Sequence, residues 1–245
     1  MNKLVSIVLW TIGVIFFLVS FIILSVCLLT LPKPRTFAIA RKFFAIQIRL
    51  MGIRLVVNGI ENIDPDKTYL MMGNHQSLFD IFVIPAAIPL CFTGVEAAYH
   101  FSIPIWGYLI RKWGCIPIQR SNLNSAINSL KLARQTIASG LSICILPEGH
   151  RTLNGKMGKF KKGPFHLARD AKADLLLFGI NGLFRYQPKG RFELRPGLVE
   201  VNIAPIIAYE TIKDMDIDTL KSFCFEKIKV LSRETNKSNK RLNTI

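Results

Sequence analysis

Between Leu4 and Leu31 no charged side chain interrupts a run of Leu, Ile, Val and Phe. As a helix rising ~1.5 Å per residue it would reach roughly 40 Å, more than the ~30 Å hydrocarbon core of a bilayer. A signal peptide has a shorter apolar core and small residues before its cleavage site. This run ends instead in Leu31-Pro32-Lys33-Pro34-Arg35, so it reads as a retained anchor. The two prolines break the helix, and a second helical pattern covers residues 36–52. There Arg41, Lys42 and Arg49 share one arc with Ala38 and Ala45, and apolar side chains such as Phe37, Phe44 and Ile48 cover the rest. A wide apolar face opposite a narrow basic one suits a helix lying in the membrane interface, and equally one packed on a globular core. The two helices could form a hairpin dipping into one leaflet rather than a simple span.

From residue 53 onward short apolar runs alternate with helical periodicity. Strands are expected at 54–57, 69–72, 144–146, 175–180 and 198–203, and helices at 78–88, 103–113, 123–139, 163–171 and 211–233. Alternating strands and helices predict an α/β layered domain whose mostly parallel sheet is flanked by helices. The expected organisation is therefore a membrane anchor over residues 1–52 and a catalytic domain over 53–245.

Charge narrows the partners. The chain of 245 residues carries a formal net charge of +16. Nucleic acid, an anionic membrane surface and a phosphorylated substrate would each suit that balance. The anchor favours the last two, and no nucleic-acid-binding motif or aromatic ladder accompanies the basic residues. Lys33, Arg35, Arg41, Lys42 and Arg49 follow the apolar run, whereas only Lys3 precedes it. If the segment spans, the positive-inside rule places the domain on the cytoplasmic face of the membrane. The cysteines (Cys27, Cys91, Cys115, Cys144, Cys224) form no C-x-x-C pair, which indicates neither a disulfide framework nor a zinc site.

Two constellations carry chemistry. Asn74-His75-Gln76-Ser77-Leu78-Phe79-Asp80 follows an expected strand and opens an expected helix. A carboxylate on one imidazole nitrogen fixes the tautomer and leaves the other nitrogen free to take a proton from an attacking alcohol. The bland alternative is a capping box, Ser77-x-x-Asp80, with Asp80 only satisfying backbone donors and Ser77 as the N-cap. The second constellation is Pro147-Glu148-Gly149-His150-Arg151-Thr152, followed by Lys156, Lys159, Lys161 and Lys162 among glycines. Arg151 is the candidate for a forked phosphate contact; each lysine taken singly reads as part of a solvated loop.

The His75-x4-Asp80 spacing resembles the first motif of the glycerolipid acyltransferase family, most nearly its 1-acylglycerol-3-phosphate acyltransferases. Pro147-Glu148-Gly149-His150-Arg151 is similar to that family's Pro-Glu-Gly-Thr-Arg. Ile116-Pro117-Ile118-Gln119-Arg120, Phe160-Lys161-x-Gly163 and Pro196-Gly197 match further segments in order. The resemblance implies direct acyl transfer from acyl-CoA or acyl carrier protein to a lysophospholipid at the membrane, with no metal or tightly bound cofactor. His75 would be the base and Asp80 its orienting partner. Arg120, Glu148, Gly149 and Arg151 would hold the acceptor's glycerol phosphate. Two departures, His150 for Thr and Leu177 where the fourth motif commonly has proline, bear on acceptor identity. The competing classes are a membrane-anchored hydrolase using Ser77, His75 and Asp80, which lacks a G-x-S-x-G elbow, and a non-catalytic module binding anionic lipid.

Overall fold

The computed structural model describes residues 3–119 and 123–234. The apolar run forms helix α1, Lys3–Thr30, and the basic-amphipathic segment forms α2, Lys33–Leu50. They fold back on each other as an antiparallel hairpin. Thr36 Oγ1 donates to the Cys27 carbonyl at 3.2 Å, and Gln47 Nε2 donates to the Gly13 carbonyl at 3.0 Å. Ser6, Gly13, Ser20 and Cys27, seven residues apart, lie on the buried seam of α1, the spacing of a helix packed along its whole length. Its other side exposes Leu4, Ile15, Ile22 and Leu29. Among the described residues α1 is the one helix long and apolar enough to cross a membrane. Of the two readings of α2, packing on the core accounts for its apolar face, since Phe37 and Ile48 are buried in the main cluster.

The domain behind the hairpin is built on seven strands: β1 (Ile53–Asn58), β2 (Tyr69–Gly73), β3 (Phe92–Ala97), β4 (Ile116–Ile118), β5 (Ser142–Ile145), β6 (Asp174–Asn181) and β7 (Gly197–Ile203). Their order is β1-β7-β6-β2-β5-β3-β4. Every neighbouring pair is parallel except β6 with β7. Alternation along each strand sends side chains to two cores. Met71, Cys144 and Phe178 face the hairpin side with α3 (Asp80–Ala87), and Met72, Ile145 and Leu177 face α6 (Gly163–Asp170) and α9 (Ile217–Leu231). The layered α/β architecture expected from the alternation is the one observed.

Three local expectations fail for physical reasons. The periodicity does not show β3 or β4. β3 reads Phe-Thr-Gly-Val-Glu-Ala, with Gly94 and Glu96 diluting its strand character, and β4 is a three-residue edge strand centred on Pro117. The helix expected at 103–113 is shorter, α4 (Trp106–Trp113), preceded by a 3-10 turn over Ala98–Ser102. The single helix expected at 211–233 is two, α8 (Tyr209–Ile212) and α9. Asp216 restarts the chain as N-cap, its carboxylate accepting from the N–H groups of Asp218 and Thr219. The remaining helices are α5 (Leu123–Ala138) and α7 (Leu183–Tyr186).

β2 and β5 are parallel neighbours, so the loops leaving their carboxyl ends stand side by side. These are the loops that carry His75 and Glu148. The β2–β6 ladder is extended by the buried amide of Asn74, whose Nδ2 donates to the Ile180 carbonyl (2.9 Å) while its Oδ1 accepts from the Ile180 N–H (2.7 Å). Removing that amide strands two buried backbone groups at about 1–3 kcal/mol each. Asn74→Ala is expected to lower unfolding free energy by ~2–4 kcal/mol in a denaturant titration. A loss below that of ordinary surface substitutions would show that the ladder extension does not anchor this loop.

Candidate active site

The segment after β2 does not enter its helix where the capping box places it. α3 begins at Asp80, with Phe79 in the N-cap position, and Ser77 is not the cap. A tertiary bond is added to the local one, in which the Ser77 hydroxyl accepts the Phe79 N–H at 3.3 Å. The fully buried Ser77 hydroxyl donates towards the carbonyl (2.9 Å) and Oε1 (3.0 Å) of Gln187. Ser77 is thus accounted for without a nucleophilic role, which removes the serine-hydrolase arrangement. The other half of the box is present too, because Asp80 Oδ2 accepts from the N–H groups of Gln76 (2.9 Å) and Ser77 (3.1 Å).

The same oxygen meets the His75 ring, Nδ1 to Oδ2 being 2.5 Å. The capping and orienting readings of Asp80 therefore hold together: one carboxylate fixes the backbone of the loop and the imidazole that the loop carries. Asp80 is 1% exposed, while the His75 side chain retains 21% of its surface. With the carboxylate at Nδ1, that nitrogen carries the proton and Nε2 is the basic one. Nε2 has no hydrogen-bond partner among the described residues.

Glu148 is held differently from a free ligand for substrate. Its Oε1 accepts from the His75 backbone N–H at 2.7 Å and its Oε2 from the Gly158 N–H at 2.6 Å. It therefore joins the backbone of the loop after β2 to the glycine- and lysine-rich loop. Burial pushes the Glu148 carboxyl up to about 7, against the opposing pull of those two backbone bonds and of His75. Gly149 makes the turn between these contacts. It adopts φ +75° and donates its N–H to the Leu146 carbonyl, a left-handed geometry that other residues take only at a cost.

The loop after β5 is then sewn to the loop after β2. Thr152 N–H donates to the His75 carbonyl (2.9 Å), and Thr152 Oγ1 bonds the Lys156 carbonyl (2.6 Å) and receives the Gly155 N–H (3.0 Å). Arg151 sits between Glu148 and this knot, half-buried and without a hydrogen bond or ion pair among the described residues. Of the lysines downstream, Lys162 is diverted to Asp218 at 2.7 Å, whereas Lys156, Lys159 and Lys161 are exposed. His150 is exposed and Leu177 is fully buried in β6. Arg120 lies outside the described residues.

The sequence signals for His75, Asp80, Glu148 and Arg151 thus mark residues of two adjoining loops. They gave no sign of Gln187 as the partner of Ser77, or of Thr152 as the stitch to His75. Those contacts join residues 110 and 77 positions apart, beyond any local pattern.

Comparison with known proteins agrees with this geometry. The model of the family described as Acyltransferase matches residues 54–181, which runs from β1 to the end of β6. A 1-acyl-sn-glycerol-3-phosphate acyltransferase of Chlamydomonas reinhardtii is 32% identical over 150 residues, covering 60% of this chain and 45% of that protein. The alpha form from Ovis aries is 28% identical over 177 residues, covering 70% and 60%. The chain thus spans about half the length of the curated relatives it matches. The crystal structure of the 1-acyl-sn-glycerophosphate acyltransferase PlsC of Thermotoga maritima superposes with a TM-score of 0.81 over 96% of this chain and 97% of that one, at 22% identity. By the matched segment, which holds both loops of the site, this chain belongs to the acyltransferase family.

Proposed function

We propose that the chain transfers a fatty acyl group from acyl-CoA or acyl carrier protein to the free hydroxyl of 1-acylglycerol-3-phosphate, forming phosphatidic acid. The observation that carries this reading is the His75–Asp80 pair, set in the loop beside the unpaired guanidinium of Arg151. His75 Nε2 takes the hydroxyl proton as the oxygen attacks the thioester carbon. The C–S bond breaks, the new ester forms, and the proton passes to the departing thiolate. Asp80 orients the ring and stabilises the imidazolium between those steps. The route calls on no acyl-enzyme, metal or bound cofactor. Arg151, helped by Gly149 and by Arg120, holds the acceptor phosphate. Glu148 serves the acceptor indirectly, by fixing the backbone of His75 and of Gly158. The N–H groups of His75, Gln76 and Ser77 are already committed to carboxylates, so donors for the thioester oxygen come from another segment.

The hairpin supports a membrane placement, because α1 packs along its length and the domain lies beside the helix. We place α1, carried on α2, in one leaflet, with membrane lipids as the source of acceptor; were α1 to span instead, its basic flank would put the domain on the cytoplasmic face. A different lysophospholipid acceptor would keep the same chemistry, and exposed His150 beside the phosphate loop is the position that would set such a preference.

Labelled acyl-CoA and acyl carrier protein, each offered with a panel of lysophospholipids, test the reading directly. Wild type is expected to convert lysophosphatidic acid to phosphatidic acid, and His75→Ala to lose about 10²–10⁴-fold or more while folding and membrane association persist. Full activity in that variant would remove His75 as the base. Arg151→Ala is expected to raise the acceptor KM, and Arg151→Lys to be impaired too, because an ammonium does not reproduce a planar fork. An acceptor KM and kcat unchanged in both would discard the phosphate role.

Glu148 makes a separate prediction about pH. Its carboxyl is raised by burial from the usual 4.5 to about 7, so between those values the folded chain binds more proton than the unfolded chain. Stability from this group is fully present at and below pH ~4.5 and is lost as pH rises towards ~7. Glu148→Gln is expected to flatten that part of the stability–pH curve. An unchanged slope would mean that burial does not control this carboxyl.

A further inference from the structure

The loop between α7 and β7, residues 187–196, is held by the N-terminal hairpin. Trp10 Nε1 donates to the Phe192 carbonyl at 2.9 Å, and the two rings stack with centroids 6.3 Å apart. One turn earlier on α1, Ser6 Oγ receives the Leu194 N–H at 3.0 Å. Leu194 is fully buried, whereas the Phe192 side chain is left 51% exposed. Lys189, Arg191 and Arg195 are exposed around it, with half-buried Glu193 between them. None of these four forms an ion pair among the described residues.

A single exposed phenylalanine is ordinary. Here the ring stacks on Trp10 of α1, the one helix among the described residues apolar enough to cross a membrane, and its loop carries three exposed cations that form no ion pair among the described residues. An aromatic ring at headgroup level with cations reaching lipid phosphates is the chemistry of a membrane interface. The loop is also wired to the catalytic segment. Buried Gln187 donates through Nε2 to the Arg191 carbonyl (2.7 Å) and accepts the Ser77 hydroxyl. The Trp10 ring also touches Phe79, centroids 5.6 Å apart. Ser77 and Phe79 lie between His75 and Asp80.

We propose that residues 188–195 form a docking loop for an anionic bilayer, with Phe192 seated among the headgroups and Lys189, Arg191 and Arg195 on lipid phosphates, and that its seating steadies the Ser77–Phe79 segment. The second clause rests on the active site proposed above. The first stands without it.

The test uses the full chain in nanodiscs of phosphatidylcholine alone and of phosphatidylcholine with phosphatidylglycerol in equal parts. Amide hydrogen exchange is read over residues 188–195, and acyl transfer is measured in the same discs. Exchange is expected to slow in the anionic discs relative to the neutral ones. That lipid-dependent protection is expected to fall about fivefold for each cation neutralised by Lys189→Gln or Arg191→Gln. Lys131→Gln and Arg134→Gln, exposed on α5, are expected to leave it intact. Equal exchange in the two discs, protection that survives both loop substitutions, or an equal loss from the α5 pair would each overturn the docking loop. For the linkage, Phe192→Ala in the anionic discs should speed amide exchange over residues 76–79 and slow transfer to bilayer-embedded and short-chain soluble acceptors alike; unchanged exchange there, or a slowing confined to the bilayer-embedded acceptor, would overturn it. Lipid-dependent protection in a wild type that transfers no acyl group would defeat the acyltransferase reading and support the docking loop.

Discussion

The structure turns on one buried oxygen. Asp80 Oδ2 accepts from the His75 ring and from two consecutive backbone N–H groups, and the carboxylate is almost wholly shielded from water. A buried carboxyl group needs partners to replace the water it loses, and those donors converge on it. The convergence also dictates the local chain path. The loop after β2 must curl around the carboxylate before α3 can start, which is why the helix begins at Asp80. Backbone geometry and the orientation of the imidazole are consequences of the same interaction, so neither can change without the other.

A second buried carboxylate acts on the same loop from the other side. Glu148 reaches the His75 N–H with one oxygen and Gly158 with the other, and Thr152 returns a bond to the His75 carbonyl. Both polar groups of the His75 backbone are thereby committed. The two carboxylates differ in their surroundings. Asp80 meets a ring nitrogen as well as backbone donors, whereas Glu148 has backbone donors alone and its carboxyl is driven upward by burial. For Glu148 the two backbone bonds oppose that rise without cancelling it.

Much of this was legible in the sequence because local chemistry dominates there. The 28-residue helix, the strands rich in branched side chains, and the spacing of His75 to Asp80 all write their structure within a few residues. The glycine at 149 was legible as part of a motif, and its left-handed turn gives the motif a physical reason. What was not legible depends on distant partners. β4 becomes a strand only because β3 offers it an edge. Ser77 reads as a helix cap and does accept the Phe79 N–H, but the bonds its hydroxyl donates go to Gln187, 110 residues later. Glu148 was legible as a motif residue, but the two N–H groups it accepts from, at positions 75 and 158, were not.

The hairpin and the catalytic loop are one mechanical unit. Tyr186 joins them from below, its hydroxyl donating to the Met51 carbonyl at the end of α2 and its ring meeting Phe79 edge-on at 4.9 Å. Trp10 joins them from above through Phe79. A segment whose outer surface suits lipid therefore packs, through two aromatic contacts, on the residue preceding the orienting carboxylate. Close-packed interiors transmit displacement because they have little free volume in which to absorb it. That construction ties the placement of α1 to the loop that holds His75, so a shift of the helix against the domain would be felt at the Asp80 carboxylate.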